Sequence, residues 1–130
     1  IENILGSRGD NNIWGDERDN VIDGGGGSDT IYGGGGNDTI SGSSGADDYF
    51  DGGQGSDTLD FSYASLDVDF NLSAEDFGNL DAGSINFIEN GVTVQTERFE
   101  NFENVIGTVG KNTFIGNDDN NIFAGLSGND

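Results

Sequence analysis

A nine-residue repeat runs through much of this chain, and it limits the possible folds more than any other feature. The unit that opens at Gly24 reads Gly-Gly-Gly-Gly-Ser-Asp-Thr-Ile-Tyr, and the next, from Gly33, reads Gly-Gly-Gly-Gly-Asn-Asp-Thr-Ile-Ser. The eighth position of the units is apolar throughout, at Ile13, Ile22, Ile31, Ile40, Tyr49, Leu59, Phe114 and Phe123. A flexible Gly/Ser linker would have no reason to keep this register.

The composition of each unit indicates what it can form. Its six Gly-rich residues favour a turn, because glycine reaches backbone angles that are closed to other residues. The three residues that follow favour a short strand whose middle side chain points inward. One unit is too small to bury a core, so successive coils must stack. The repeat therefore predicts an all-β solenoid in which two units make one coil and turns about 18 residues apart lie on each other.

A large negative charge limits the partners of the chain. It has 25 acidic and 4 basic residues, for a net charge of −21. Such a polyanion is unsuited to a nucleic-acid backbone or an anionic membrane surface, and no apolar run is long enough for direct membrane insertion. Histidine and cysteine are absent, which removes the usual general base and the ligands of most zinc sites. We expect this chain to need counter-ions before it folds, and to be part of a longer parent chain.

These units resemble the calcium-binding nonapeptide repeat of the RTX (repeats-in-toxin, hemolysin-type) family, G-G-x-G-x-D-x-U-x. Residues 24–41 match it in two consecutive units, and residues 42–60 match it with one extra residue, placed at Asp51. The resemblance implies a right-handed parallel β-roll, export by a bacterial type I secretion system and folding outside the cell. It also implies that Ca²⁺ lies between stacked turns, held by the carboxylates at position six and by backbone carbonyls.

Carried onto this sequence, the resemblance assigns two main calcium sites. The first would use Gly25, Gly27 and Asp29 with Gly42, Ser44 and Asp47. The second would use Gly34, Gly36 and Asp38 with Gly52, Gln54 and Asp57, and we expect a bulge at Asp51 to absorb the extra residue. Hard oxygen ligands, some of them carbonyls, favour calcium over magnesium and over transition metals.

Weaker sites are predicted where asparagine replaces the aspartate at position six. One would use Ser7, Gly9 and Asn11 with Gly24, Gly26 and Asp29, and another Thr108, Gly110 and Asn112 with Gly125, Ser127 and Asp130. The alternative for both is a turn held by hydrogen bonds of the asparagine side chain. The turn at Gly15 carries Arg18 where a glycine is expected, so we expect it to be ion-free. Glu2 and Glu103 also fall at position six, and for them a capping contact is favoured over an ion.

The pattern divides the chain into three segments: a repeat block at 1–60, a β-rich insert at 61–104 that continues or flanks the solenoid, and a truncated repeat block at 105–130. In the insert, which we expect to be irregular, residues 66–72 alternate as a half-buried strand, and Asn90-Gly91 signals a hairpin. Its aromatic residues are interpreted as core rather than as a carbohydrate platform: Phe61, Tyr63, Phe70, Phe77, Phe87, Phe99 and Phe102. Trp14 is the best candidate for an outward contact surface.

These features favour a calcium-dependent structural module, not an enzyme, in a larger secreted bacterial protein of the adhesin, toxin, exoenzyme or surface-layer type. Its partners would be calcium ions, the rest of the parent chain and an extracellular glycan or surface, and its place would be outside the cell or on its surface. One alternative is a solenoid face that binds glycan or ice. A polysaccharide-processing enzyme is the other, although the chain has no histidine, cysteine or G-x-S-x-G motif.

Overall fold

A computed structural model of the chain describes residues 2–42, 47–72, 82–117 and 119–130. The regular structure of these residues is entirely β-strand. The thirteen strands are β1 (Glu2–Ser7), β2 (Asn12–Trp14), β3 (Asn20–Gly25), β4 (Thr30–Gly35), β5 (Thr39–Ser41), β6 (Tyr49–Gln54), β7 (Thr58–Asp60), β8 (Asp67–Asn71), β9 (Ala82–Glu89), β10 (Val92–Glu100), β11 (Asn104–Ile106), β12 (Asn112–Ile115) and β13 (Ile122–Ala124). No helix in the described ranges could cross a membrane.

The strands form two open sheets, because each Gly-rich turn carries the chain from one sheet to the other. The first sheet has the order β1-β3-β5-β7-β11-β13 and the second β12-β8-β9-β10-β6-β4-β2. Within the first sheet all neighbours are parallel, and Ile22 pairs with Ile40, 18 residues later. The predicted stacking of coils is therefore confirmed, while the right-handed sense of the coil stays a prediction.

Between the sheets lies a ladder of apolar side chains from the eighth position of the repeat. Ile22, Ile31, Ile40 and Leu59 are completely buried. Burying each of these side chains contributes about 1.5–3 kcal/mol relative to exposure. The glycines and acidic residues around them bury little apolar surface, so this ladder and the aromatic residues of the insert form the hydrophobic core.

The structure corrects the register of the unit that opens at Gly42. Ile31 pairs with Phe50, which is completely buried, whereas Tyr49 was predicted to point inward. A phenyl ring leaves no polar atom in the core, while the Tyr49 hydroxyl reaches the surface and donates a hydrogen bond to Glu100. The extra residue thus lies before β6, in the turn. The bulge expected at Asp51 is wrong, since Asp51 pairs directly with Tyr32 and the offset of 19 residues continues unchanged to Gln54.

The described strands of the insert belong to the second sheet, with one register shift between Thr93 and Gln95. Strands β8, β9 and β10 pair antiparallel, and this meander fits between the parallel strands β12 and β6. The predicted hairpin is confirmed at Asn90 and Gly91, whose φ angles of 53° and 75° match a type I′ turn. Strands of all three predicted segments share the two sheets, and the segment boundaries themselves stay a prediction.

The aromatic residues of the insert largely fill the core, as predicted. The buried members are Phe61, Phe70, Phe87, Phe99 and Phe102. Phe61 is at their centre, with ring centroids 5.6 Å from Phe87 and 5.8 Å from Phe70. Tyr63 is half exposed, and Phe77 lies outside the described residues.

Candidate metal centre

Stacking of the turns places the residues at position six in columns. The first column contains Asn11, Asp29, Asp48 and Glu97, and the second contains Asn20, Asp38, Asp57 and Glu103. Glu97 belongs to the first because the residue after it, Arg98, pairs with the residue after Asp48. In each column, an asparagine is thus followed by two aspartates and then by a glutamate.

One carboxylate oxygen of each acidic residue in the second column binds the coil before it. Asp38 Oδ1 accepts a hydrogen bond from the backbone N–H of Asn20 at 2.8 Å, and Asp57 Oδ1 accepts one from Asp38 at 2.8 Å. The first column repeats the arrangement, with Asp29 Oδ1 bonded to the N–H of Asn11 at 2.9 Å. These bonds fix the spacing of the coils and commit only one oxygen of each carboxylate.

The second oxygen of these aspartates is buried without a partner. Oδ2 of Asp29, Asp38 and Asp57 makes no hydrogen bond, and the residues are at most 1% exposed. Burial raises the pKa of Asp29, and it raises the pKa of Asp57 to about 6, with the nearby Asp38 and Glu103 adding to the rise. A buried, unpaired carboxylate oxygen is costly. The columns therefore require a cation or a proton beside these oxygens.

Backbone carbonyls converge on the same places. A Cβ atom on Gly33 would lie 2.5 Å from the carbonyl oxygen of Gly52, one coil later, and would also overlap Asp38 Oδ2. The space left by the missing side chain is therefore bordered by a carboxylate oxygen of one turn and a carbonyl oxygen of the next. Gly34 and Gly36 have φ angles of 107° and 96°, which other residues rarely adopt. Glycine is thus required both for the turn and for the space.

The chemistry of this donor set fits calcium. Among the described residues, no group of three or more acidic side chains could hold a metal ion. An ion in a column would therefore take two carboxylates and complete its shell with carbonyl oxygens or water. Calcium accepts six to eight oxygen ligands of these kinds in flexible geometry, whereas the chain offers no histidine or cysteine to a softer metal.

The structure brings together the residues predicted for the second main site. Gly34 pairs with Gly53 and Gly35 with Gln54, so the turns that contain Gly36 and Gly52 lie directly on each other. Asp38 and Asp57 are joined by the backbone hydrogen bond already described. All six predicted residues are within these two turns.

The first main site needs a correction at one position. Asp48, and not Asp47, accepts the hydrogen bond from the backbone N–H of Asp29, at 2.7 Å. Asp47 is exposed with φ of 66°, because the extra residue of this turn displaces it from the column. Gly25, Gly27, Asp29 and Gly42 lie where the register predicts, and Ser44 lies outside the described residues.

At the weaker sites the geometry favours the asparagine alternative. Asn112 Nδ2 donates hydrogen bonds to the carbonyl oxygens of Thr108, Gly110 and Gly125 at 2.9, 3.0 and 3.1 Å. It also lies 3.2 Å from Asp130 Oδ1. These are oxygens that the prediction assigned to an ion, so the amide group occupies the place of the cation. Ser127 Oγ instead bonds the carbonyl of Val109.

The same substitution recurs at the start of both columns. Asn11 Nδ2 bonds Ser7 Oγ at 3.0 Å and the carbonyl of Gly9, within the turn that faces Gly24, Gly26 and Asp29. Asn20 Nδ2 bonds the carbonyl of Arg18 and Asp38 Oδ1. The Arg18 guanidinium points to the surface, where it pairs with Asp16 and Glu2 at 2.5 and 3.0 Å. Glu2 is thus in a surface ion pair.

Sequence reasoning missed two carboxylates of the first column, Asp48 and Glu97, which are 2% and 0% exposed. Spacing could have found both. Each lies two residues before a buried phenylalanine, Phe50 or Phe99, as Asp38 lies two residues before Ile40. A search for Gly-rich turns could not find Glu97, because β10 enters the column from a hairpin and no Gly-rich turn precedes it.

Comparison with known proteins agrees with this arrangement. Residues 1–17, 5–40, 14–48, 44–59 and 100–130 match the family model described as "RTX calcium-binding nonapeptide repeat (4 copies)". Together these segments span more than half of the chain. A comparison with curated proteins finds no match.

Proposed function

Because the chain belongs to the RTX calcium-binding nonapeptide-repeat family, we propose that it is a structural module that becomes rigid when calcium fills its columns. The observation that carries this proposal is the set of buried, unpartnered Oδ2 atoms at Asp29, Asp38 and Asp57. They lie where two turns meet. A cation there neutralises the buried charge and joins coils whose contact otherwise depends on short strands.

Charge explains why folding would follow calcium. With 25 acidic residues against 4 basic ones, self-repulsion favours an extended chain when calcium is scarce. Ions that bind only the folded state convert their binding energy into folding energy. Extracellular calcium modules have dissociation constants of about 0.1 to 1 mM. At ten times that constant, each site adds about 1.4 kcal/mol of stability.

This behaviour suits a module of a secreted bacterial protein. The chain would remain extended inside the cell and fold outside it, where calcium is abundant. It would then stiffen, space or present another part of its parent chain. The proposal gives this module no catalytic role, in keeping with a chain that lacks histidine and cysteine.

The outward faces give less support to an ice-binding function. An ice-binding face would need a regular row of small hydroxyl or amide side chains along one sheet. The row at position seven of the first sheet reads Asn3, Val21, Thr39, Thr58, Asn104 and Ile122. Val21 interrupts the row and Ile122 ends it, so only the run of Thr39, Thr58 and Asn104 has the required character.

A calcium titration followed by far-UV circular dichroism tests the proposal. We expect the β-structure signal to rise as calcium approaches millimolar concentration and to stay low with magnesium at equal ionic strength. Asp38→Asn and Asp47→Asn provide a matched pair, since both remove one charge but only Asp38 lies in a column. Full β-structure in excess chelator, unchanged by calcium, would contradict the proposal.

A further inference from the structure

Before Glu103 in the second column, a short loop stands where a repeat turn would otherwise lie. Glu103 Oε2 accepts a hydrogen bond from the backbone N–H of Asp57 at 2.9 Å. One coil earlier, Asp57 Oδ1 accepts the same bond from Asp38 at 2.8 Å. Glu103 therefore occupies the position of an aspartate at position six, although no Gly-rich turn precedes it.

The same loop supplies a carbonyl oxygen in the expected place. A Cβ atom on Gly52 would overlap the carbonyl oxygen of Asn101 and would lie 2.7 Å from Asp57 Oδ2. On Gly33, a Cβ atom would meet the carbonyl oxygen of Gly52 and Asp38 Oδ2 in the same way. The pair of oxygens that borders the predicted ion site is thus repeated at Gly52, with Asn101 in the role of a repeat glycine.

Asn101 can take this role because its backbone adopts φ of 58°. Asparagine tolerates the left-handed region better than most residues. The loop thereby reaches from the position-one carbonyl to the position-six carboxylate in two residues rather than five.

The other half of the site is an ordinary repeat turn. Gly53 and Gly55 have φ angles of 97° and 144°, and they correspond to Gly34 and Gly36 one coil earlier. Asp57 is completely buried, and its Oδ2 atom has no hydrogen-bond partner. This turn therefore faces the loop with the same oxygens that an ordinary turn offers to the next repeat.

We propose that Asp57, Glu103 and the Asn101 carbonyl form a further calcium site with the Gly53 and Gly55 carbonyls. This inference rests on the proposed function, and it replaces the capping role that the sequence favoured for Glu103. The ion would join the last turn of the first repeat block to the segment that follows the hairpin. It would thereby fix the insert to the roll and extend the second column by one ion.

Glu103→Gln tests the site, with Glu89→Gln as its control. Glutamine keeps an oxygen that can accept the bond from the Asp57 N–H, but it removes the charge. Glu89 is exposed on the hairpin and outside both columns. Isothermal titration with calcium should show one fewer site in Glu103→Gln, or one site weakened about tenfold or more. Glu89→Gln should bind like the unaltered chain.

Two readouts separate the possible outcomes. If Glu103→Gln binds as many ions with the same affinities, the further site is overturned, while calcium-dependent folding stands on the other sites. If the unaltered chain shows no response to calcium, both proposals fail. Urea unfolding at two calcium concentrations that both fold the chain distinguishes a merely structural bond, because a loss of stability that does not grow with calcium would also overturn the site.

Discussion

Asp38→Asn should make one turn of the second column less dependent on calcium. Asp38 is 1% exposed, and its Oδ2 atom lacks a partner. Its charge therefore destabilises the fold when calcium is absent. Asn112 shows what an amide does at position six, since its Nδ2 atom bonds the carbonyls of Thr108 and Gly110. The new amide should bond the corresponding carbonyls of its own turn.

The expected magnitudes follow from these bonds. Two hydrogen bonds at about 0.5–1.5 kcal/mol each should stabilise the calcium-free fold by about 1–3 kcal/mol. Loss of one charged ligand should weaken calcium binding at this site by about 1.5–3 kcal/mol, which corresponds to about a tenfold to hundredfold change in affinity. The variant should thus gain stability in chelator and gain less than the unaltered chain from calcium.

Circular dichroism in chelator measures the first effect through the residual β-structure signal, and urea unfolding at two calcium concentrations that fold the chain measures the second through the stability that calcium adds. Asp47→Asn is the control, because Asp47 is exposed and outside the columns. Asp47→Asn should change the stability without and with calcium by the same amount, because it alters only the net charge. The prediction is refuted if Asp38→Asn gains as much stability from calcium as the unaltered chain, or if it has less β-structure than the unaltered chain in chelator.

Three further predictions concern the same features. Asn112→Asp should create calcium dependence in the second repeat block, because it replaces the amide donor with a second carboxylate beside Asp130. Calcium titration should reveal one added site, and an unchanged number of sites would contradict the prediction. Asp57 has its pKa raised from 3.8 to about 6 by burial, so its protonation stabilises the folded state. In chelator, the β-structure signal should therefore be highest below about pH 4 and fall as the pH rises through 6, and Asp57→Asn should weaken this dependence in circular dichroism across pH. Phe50→Ala should cost about 3–5 kcal/mol of unfolding free energy, whereas Tyr49→Ala should cost much less, and the reverse order would restore the register predicted from sequence.

Sequence periodicity predicted most of the fold because the repeat encodes it locally. Glycine at fixed positions requires turns, and one apolar residue per unit, such as Ile31 or Ile40, requires a ladder. Asn90-Gly91 likewise determines its own hairpin through local backbone preference. Such features depend on neighbours within a few residues, so no knowledge of the partner strands was needed.

The register of the turn before β6 could not be obtained in this way. Asp47 and Asp48 both follow a Gly/Ser-rich segment, and either Tyr49 or Phe50 could fill the eighth position. Packing decides between these two residues, because the core accepts the Phe50 ring, which has no hydroxyl group that needs a hydrogen-bond partner. The position-six carboxylate of this turn is therefore Asp48 rather than Asp47.

The sequence by itself determined a stacked β-fold with acidic residues in its turns, and it predicted bound calcium, because spacing, glycine and charge are local properties of the chain. Only the tertiary structure decided which acidic residues share a column. Glu97 and Glu103 join the aspartates from a hairpin and a short loop, and the asparagine amides fill the turns at which the columns begin. These pairings arise between coils, where packing of the apolar ladder fixes the register and the carboxylates follow it.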